Sequence, residues 1–165
     1  MSHSRIYQIS SRRIAKGDYA SPSDFYDNSS DFADYIGYEI EDEDDRKDDI
    51  SHLADALSDI FDLSDDGKAL VYKGEEALKK FKQEWADVIR QAAQEITADN
   101  VLESQPRWIL QSICEDTHLR YSRRVSIEEW NGHAGPMGDL IEWVASSKFK
   151  AGKKIYVGAV IDYHY

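Results

Sequence analysis

The stretch from Lys153 to Tyr165 constrains the fold more than any other. Ile155, Val157, Ala159, Ile161 and Tyr163 alternate with Tyr156, Val160, Asp162 and His164. A period of two puts the first set on one face of a β-strand and the second on the other. A strand with apolar residues on both faces belongs in the middle of a sheet that is covered on each side. Arg5 to Ile9, rich in β-formers, reads as a second strand at the opposite end of the chain. Lys68 to Lys73, closed by Gly74, reads as a third, and the alternation from Leu119 to Ile127 as a fourth. Asp34 to Glu41 fits a short strand or a helical turn equally well.

Helical spacing runs between these strands. From Glu75 to Ile96 the residues Leu78, Phe81, Trp85, Val88, Ile89, Ala92 and Ile96 make one apolar stripe, with Trp85 expected in the core. A shorter stripe runs from Asp48 to Phe61, preceded by the carboxylates of Glu41 to Asp45, which suit a helix N-terminus. Arg107 to Cys114 and Asp139 to Val144 are further short helices. A chain of 165 residues with strands at both ends and helices between them is expected to form one domain over 1–165. The expected class is α+β: a mixed or antiparallel sheet, one long amphipathic helix over about 75–96, and two or three shorter helices.

Charge is distributed unevenly. Residues 18–66 hold 18 carboxylates against Arg46 and Lys47, a net of −16, residues 1–17 carry +4, and residues 67–165 are neutral. Such asymmetry concerns association and solubility rather than fold. Direct nucleic-acid binding is disfavoured, because a chain of net charge −12 opposes the counterion release that drives it. No apolar run approaches the roughly 20 residues that span a bilayer. The N-terminal residues lack the apolar core of a signal peptide, and Cys114 is the only cysteine. The expectation is a cytoplasmic protein without membrane attachment.

The motifs that could carry chemistry are weak. Asp62 to Gly67 places oxygen ligands at positions 1, 3 and 5 and glycine at 6 of a calcium loop, but position 12 is Lys73 where a bidentate Glu is required, so a helix-ending turn is expected. Cys114 and His118 are four residues apart, yet Glu115 and Asp116 beside the thiol would oppose thiolate formation, so Cys114 reads as a core residue. As a zinc site this pair lacks further ligands at a recognisable spacing, with His133 and His164 far off in sequence. The glycine-rich loop from Gly132 to Gly138 precedes a helix, but Asp139 sits where an anion would bind and reads as the cap. Arg120, Arg123 and Arg124 form a basic cluster suited to docking the chain's own acidic segment.

These features favour a non-catalytic interaction or inhibitor protein. Its 18–66 segment would engage a basic protein partner through Asp42, Asp44, Asp45, Asp48 and Asp49, with Tyr35 and Tyr38 as anchors. Tyr19, Phe25, Tyr26 and Phe32 are interleaved in the same segment. One version is DNA mimicry, 16 net charges imitating roughly 27 Å of duplex, or about 8 base pairs. Another is a neutraliser of a basic toxin or nuclease. The rival readings are a small enzyme using Cys114, His118 or His133 with nearby carboxylates, and a structural subunit whose acidic face is merely solvated. No cofactor or metal site is expected.

Overall fold

The computed structural model describes residues 2–29, 31–115, 123–130 and 132–165. Its strands are β1 (His3–Ser10), β2 (Tyr35–Glu39), β3 (Phe61–Leu63), β4 (Ala69–Tyr72), β5 (Arg123–Ile127), β6 (Ala134–Pro136) and β7 (Lys154–His164). Its described α-helices are α1 (Glu43–Ala56), α2 (Glu75–Gln94), α3 (Ser104–Glu115) and α4 (Met137–Ser147). One mixed sheet in the order β3-β4-β7-β1-β5-β6 organises the α+β domain, with β2 also paired to β7. Among the described strand pairs, only β1 and β5 run parallel. As expected, β7 is the central strand. One of its edges carries β1, and the other is shared by β4 at its start and β2 at its end.

The alternation in β7 is interrupted, and this changes which residues share a face. Ile9 pairs with Val157 but Tyr7 pairs with Val160, so Gly158 and Ala159 together stand opposite Gln8 in a β-bulge. The buried Gln8 side chain fills the gap. Its Oε1 accepts from Ala159 N–H at 2.9 Å and Ala20 N–H at 3.0 Å, and its Nε2 donates to the Asp18 carbonyl at 3.0 Å. Gly158 is required there, because a Cβ would collide with Gln8 Oε1 and the end of Ile14. Ile155, Val157 and Val160 therefore pack with the helices, whereas Ala159, Ile161 and Tyr163 lie in the cluster on the other face. The expectation that Ile155, Val157, Ala159, Ile161 and Tyr163 share one face fails at the bulge.

The helical face buries Ile50, Leu53 and Leu57 with Met137, Leu140 and Val144 over Tyr7, Ile9 and Val125. The opposite face is covered by irregular chain, a 3-10 turn at Lys16–Asp18 and another at Pro22–Asn28, whose Phe25 packs with Ile6, Ile36 and Tyr163. Three of the seven aromatics in residues 18–66 are used in this cover. Phe25 is buried and Tyr19 and Phe32 pack against the cluster, while Tyr26, Tyr35 and Tyr38 are exposed.

Several boundaries depart from expectation. The helix expected over 48–61 begins at Glu43 and ends at Ala56. Asp42 Oδ1 accepts the N–H groups of Asp44 and Asp45 at 2.9 and 3.1 Å, so the acidic run forms the cap and first turn instead of a preceding loop. Asp62 to Gly67 is a β3–β4 hairpin turn, not a helix end: Ser64 Oγ and Lys68 N–H donate to Asp66 Oδ1 at 2.6 and 3.1 Å, and Gly67 has φ of 70°. Pro136, not Asp139, occupies the N-cap of α4. Along α2 only Leu78 is buried, with Phe81 and Trp85 packed on the core's edge, and the rest of its stripe accompanies α3.

Candidate functional site

The acidic residues converge where β2 turns into α1. After Tyr38 and Glu39, Ile40 donates its N–H to the Val160 carbonyl at 2.8 Å and buries its side chain, anchoring the turn to β7. Glu41 and the capping Asp42 follow. On α1, Asp45, Asp48 and Asp49 stand at i, i+3 and i+4 and therefore share a face. Together with Arg5 these residues line a cleft of 640 Å³, and Arg5 is the single cation among the described lining residues.

Two arginines fix the cleft's walls. Arg5 projects from β1 and donates from Nε to Asp49 Oδ2 at 2.8 Å and from Nη1 to Asp162 Oδ1. Burial would lower its pKa, but the hydrogen bond to Asp49 and the charges of Asp49 and Asp162 outweigh this and raise it. Arg46, on α1, is buried and donates from Nη2 to the carbonyls of Val157, at 2.8 Å, and Gly158. Its guanidinium lies 4.9 Å from the centre of the Tyr19 ring. Arg46 thereby ties α1 to the bulge of β7, in the gap between β4 and β2, through carbonyl oxygens instead of a carboxylate.

Five of the seven expected binding residues come together: Tyr38, Asp42, Asp45, Asp48 and Asp49. Asp44 is exposed on the helix but does not line the cleft. Tyr35 is 60% exposed and sets its ring edge-on to His164 at 5.6 Å. Among the described residues, Asp49 is the only one of these carboxylates paired with an arginine or lysine. The ion pairs that hold the segment among the described residues are Arg5–Asp49, Lys68–Glu43 and Lys73–Asp62, with His52 3.9 Å from Asp48. The expected docking of this segment on Arg120, Arg123 and Arg124 takes a different form. Arg120 lies outside the described residues, and Arg124 packs 4.5 Å over the Phe32 ring. Arg5 makes the charge contact instead, a role that an isolated arginine in a strand gives no reason to expect.

Sequence reasoning also missed a second, larger cleft of 890 Å³ between α2 and α4. Lys79, Lys82, Lys148 and Lys150 surround an apolar floor that includes Leu78, Val144 and Phe149, with Glu75 as the only lining carboxylate among the described residues. The rival catalytic pair falls partly outside the described residues. Cys114 is exposed on α3 instead of buried in the core, and His118 lies outside them. His133 is exposed in the loop before β6.

Comparison of the chain with protein-family models, with curated proteins and with solved structures finds no match in any of the three. No helix among the described residues is long and apolar enough to cross a membrane.

Proposed function

We propose that the protein binds a basic protein partner through the cleft between β2 and α1. The observation that carries this reading is the arrangement of Glu39, Glu41, Asp42, Asp45, Asp48 and Asp49 around one concavity, with Tyr38 at its rim and Arg5 its single described cation. Like charges held together at a surface raise the local concentration of cations and steer basic partners toward them. Tyr38 is 65% exposed and supplies the apolar area that charge lacks. A concave site favours a neutraliser that receives a projecting Lys or Arg over a DNA mimic, whose charges must be presented on a convex surface to a groove reader.

The test uses an arginine-rich peptide and the variant Glu41→Gln, Asp45→Asn, Asp48→Asn. These carboxylates are exposed, and none caps a helix or pairs with Lys or Arg in the described structure, so the variant keeps its fold. Calorimetry is expected to give binding that weakens steeply as salt rises to physiological strength and is lost in the variant. Equal affinity for both proteins would overturn the reading.

A further inference from the structure

The geometry points to a second site, beside the acidic cleft: a zinc-class divalent metal centre formed by His3, Asp162 and His164. The sheet register creates it. His3 and His164 are direct cross-strand partners on β1 and β7, and Asp162 precedes His164 by two residues on the same face. The Gly158 bulge turns that face toward α1, the side from which Arg5 and Tyr7 also project.

Asp162 Oδ2 lies 3.2 Å from His3 Nδ1 and 3.2 Å from His164 Nε2, and the three ligand atoms fall within 4.8 Å of one another. A tetrahedral ion with bonds near 2.0–2.1 Å needs donor separations of about 3.3 Å, which the two imidazole–carboxylate distances match and which the imidazole–imidazole separation, within 4.8 Å, reaches after rotation of the exposed His3 ring. Two imidazoles and one carboxylate are donors suited to zinc, whereas magnesium and calcium prefer oxygen alone.

The surroundings are arranged as a metal site requires. Asp162 is 1% exposed; His3 Nδ1 lies 3.2 Å from both of its carboxylate oxygens, Oδ2 is the oxygen near both imidazoles, and Arg5 donates to Oδ1. Such a hydrogen bond to the non-ligating oxygen orients a metal-binding carboxylate. Gly37 keeps the space beside Oδ2 clear, since a Cβ there would stand 2.9 Å from it. Tyr35 packs edge-on against the His164 ring, their centres 5.6 Å apart. His3 has a side chain 59% exposed and opens onto a cleft of 330 Å³ with Tyr7, Asp49, His52 and Arg123, so a fourth coordination position stays accessible to water. For each imidazole to bind, its proton must sit on the ring nitrogen facing away from Asp162. The metal then replaces the N–H···O contacts as the link between the rings and Oδ2.

This inference does not depend on the acidic cleft, and one experiment keeps the two apart. The tag-free 165-residue chain is titrated with Zn²⁺ by calorimetry and with Co²⁺ as a spectroscopic probe of coordination number. The expected result is one tight equivalent of Zn²⁺ that displaces Co²⁺, with Co²⁺ showing the intense visible bands of a four-coordinate site. His3→Ala, at an exposed position that leaves the fold intact by circular dichroism, weakens binding at least about tenfold. The Glu41→Gln, Asp45→Asn, Asp48→Asn variant keeps both the equivalent and the spectrum. No binding by the wild-type chain, a six-coordinate cobalt spectrum, or unchanged affinity in His3→Ala would each overturn the assignment. Loss of binding in the cleft variant alone would also overturn it, by placing the ion among the surface carboxylates.

Discussion

The cleft between β2 and α1 and the cleft between α2 and α4 lie toward opposite ends of β7 and carry opposite charge. The acidic cleft is built from near-contiguous chain, residues 38–49 plus Arg5, so its charge comes from local sequence. The lysine cleft gathers Lys79 and Lys82 from one helix and Lys148 and Lys150 from beyond the end of another, around an apolar floor. Charge density alone thus marks only a site whose residues are neighbours in sequence. The two also differ in support. The acidic wall is fastened to the central strand by Arg46, whereas the lysine cleft is walled partly by α2, of which only Leu78 is buried.

The sharpest way to break this contrast is to release the fastening. Arg46→Ala removes hydrogen bonds from a charged donor to two carbonyls and leaves the bulge uncovered. It is expected to cost about 3 kcal/mol, read as a shifted denaturant midpoint at unchanged slope. Trp85→Ala, beside the lysine cleft, is expected to cost about half the 3–5 kcal/mol of a fully buried tryptophan, because Trp85 only borders the core. A larger loss at Trp85 than at Arg46 would reverse the comparison.

Acid unfolding sharpens it further. Burial acts to raise the pKa of Glu129, but donors from Ser10 and Ser11 outweigh that and hold it below the usual glutamate value. With the folded-state pKa lowered, its contribution is complete above the unfolded value and is lost as pH falls through the folded one. Glu129→Gln should therefore cost about 1 kcal/mol at neutral pH and flatten the stability curve below about pH 4.5. A parallel offset at all pH values would show that the carboxylate's charge is not what the serines hold. Binding kinetics give the next effect. Tyr38→Ala is expected to speed release of a basic peptide several-fold with little change in association rate, and Lys79→Gln with Lys82→Gln to alter neither beyond a modest electrostatic gain. The smallest change is expected at the exposed Glu43–Lys68 pair, where Glu43→Gln should move stability by less than about 0.5 kcal/mol even though Lys68 holds the Glu43 carboxyl below its ordinary value.

The sheet and its central strand were legible because β-branched and apolar residues alternate at both ends of the chain. The α1 boundary was not, since a run of carboxylates reads equally as a loop or as a capped first turn, and Asp42 decides by accepting the Asp44 and Asp45 amides. Within the acidic cleft, Tyr38, Asp42, Asp45, Asp48 and Asp49 could be named from composition, while Glu39 and Glu41 were missed. Arg5 could not, because a strand residue reveals its cross-sheet partner only once the register is known. The His3, Asp162 and His164 cluster was hidden twice. Its members lie at the two ends of the chain, and the bulge shifts the face of every residue after Gly158, so simple alternation gives no means of placing Asp162 and His164 relative to Val157.

The α2–α3 hairpin has a consequence for the timescales of motion. Beyond Trp85, Val88, Leu102, Trp108 and Ile109 remain exposed, so opening the outer turns of this hairpin sacrifices little buried apolar surface. Its backbone amides should exchange with solvent hydrogen through a local opening whose free energy is a fraction of the global value, while those of β1 and β7 wait for complete unfolding. The chain would then hold two cooperative units, with the acidic cleft and the histidine cluster on the slowly exchanging one and a wall of the lysine cleft on the other.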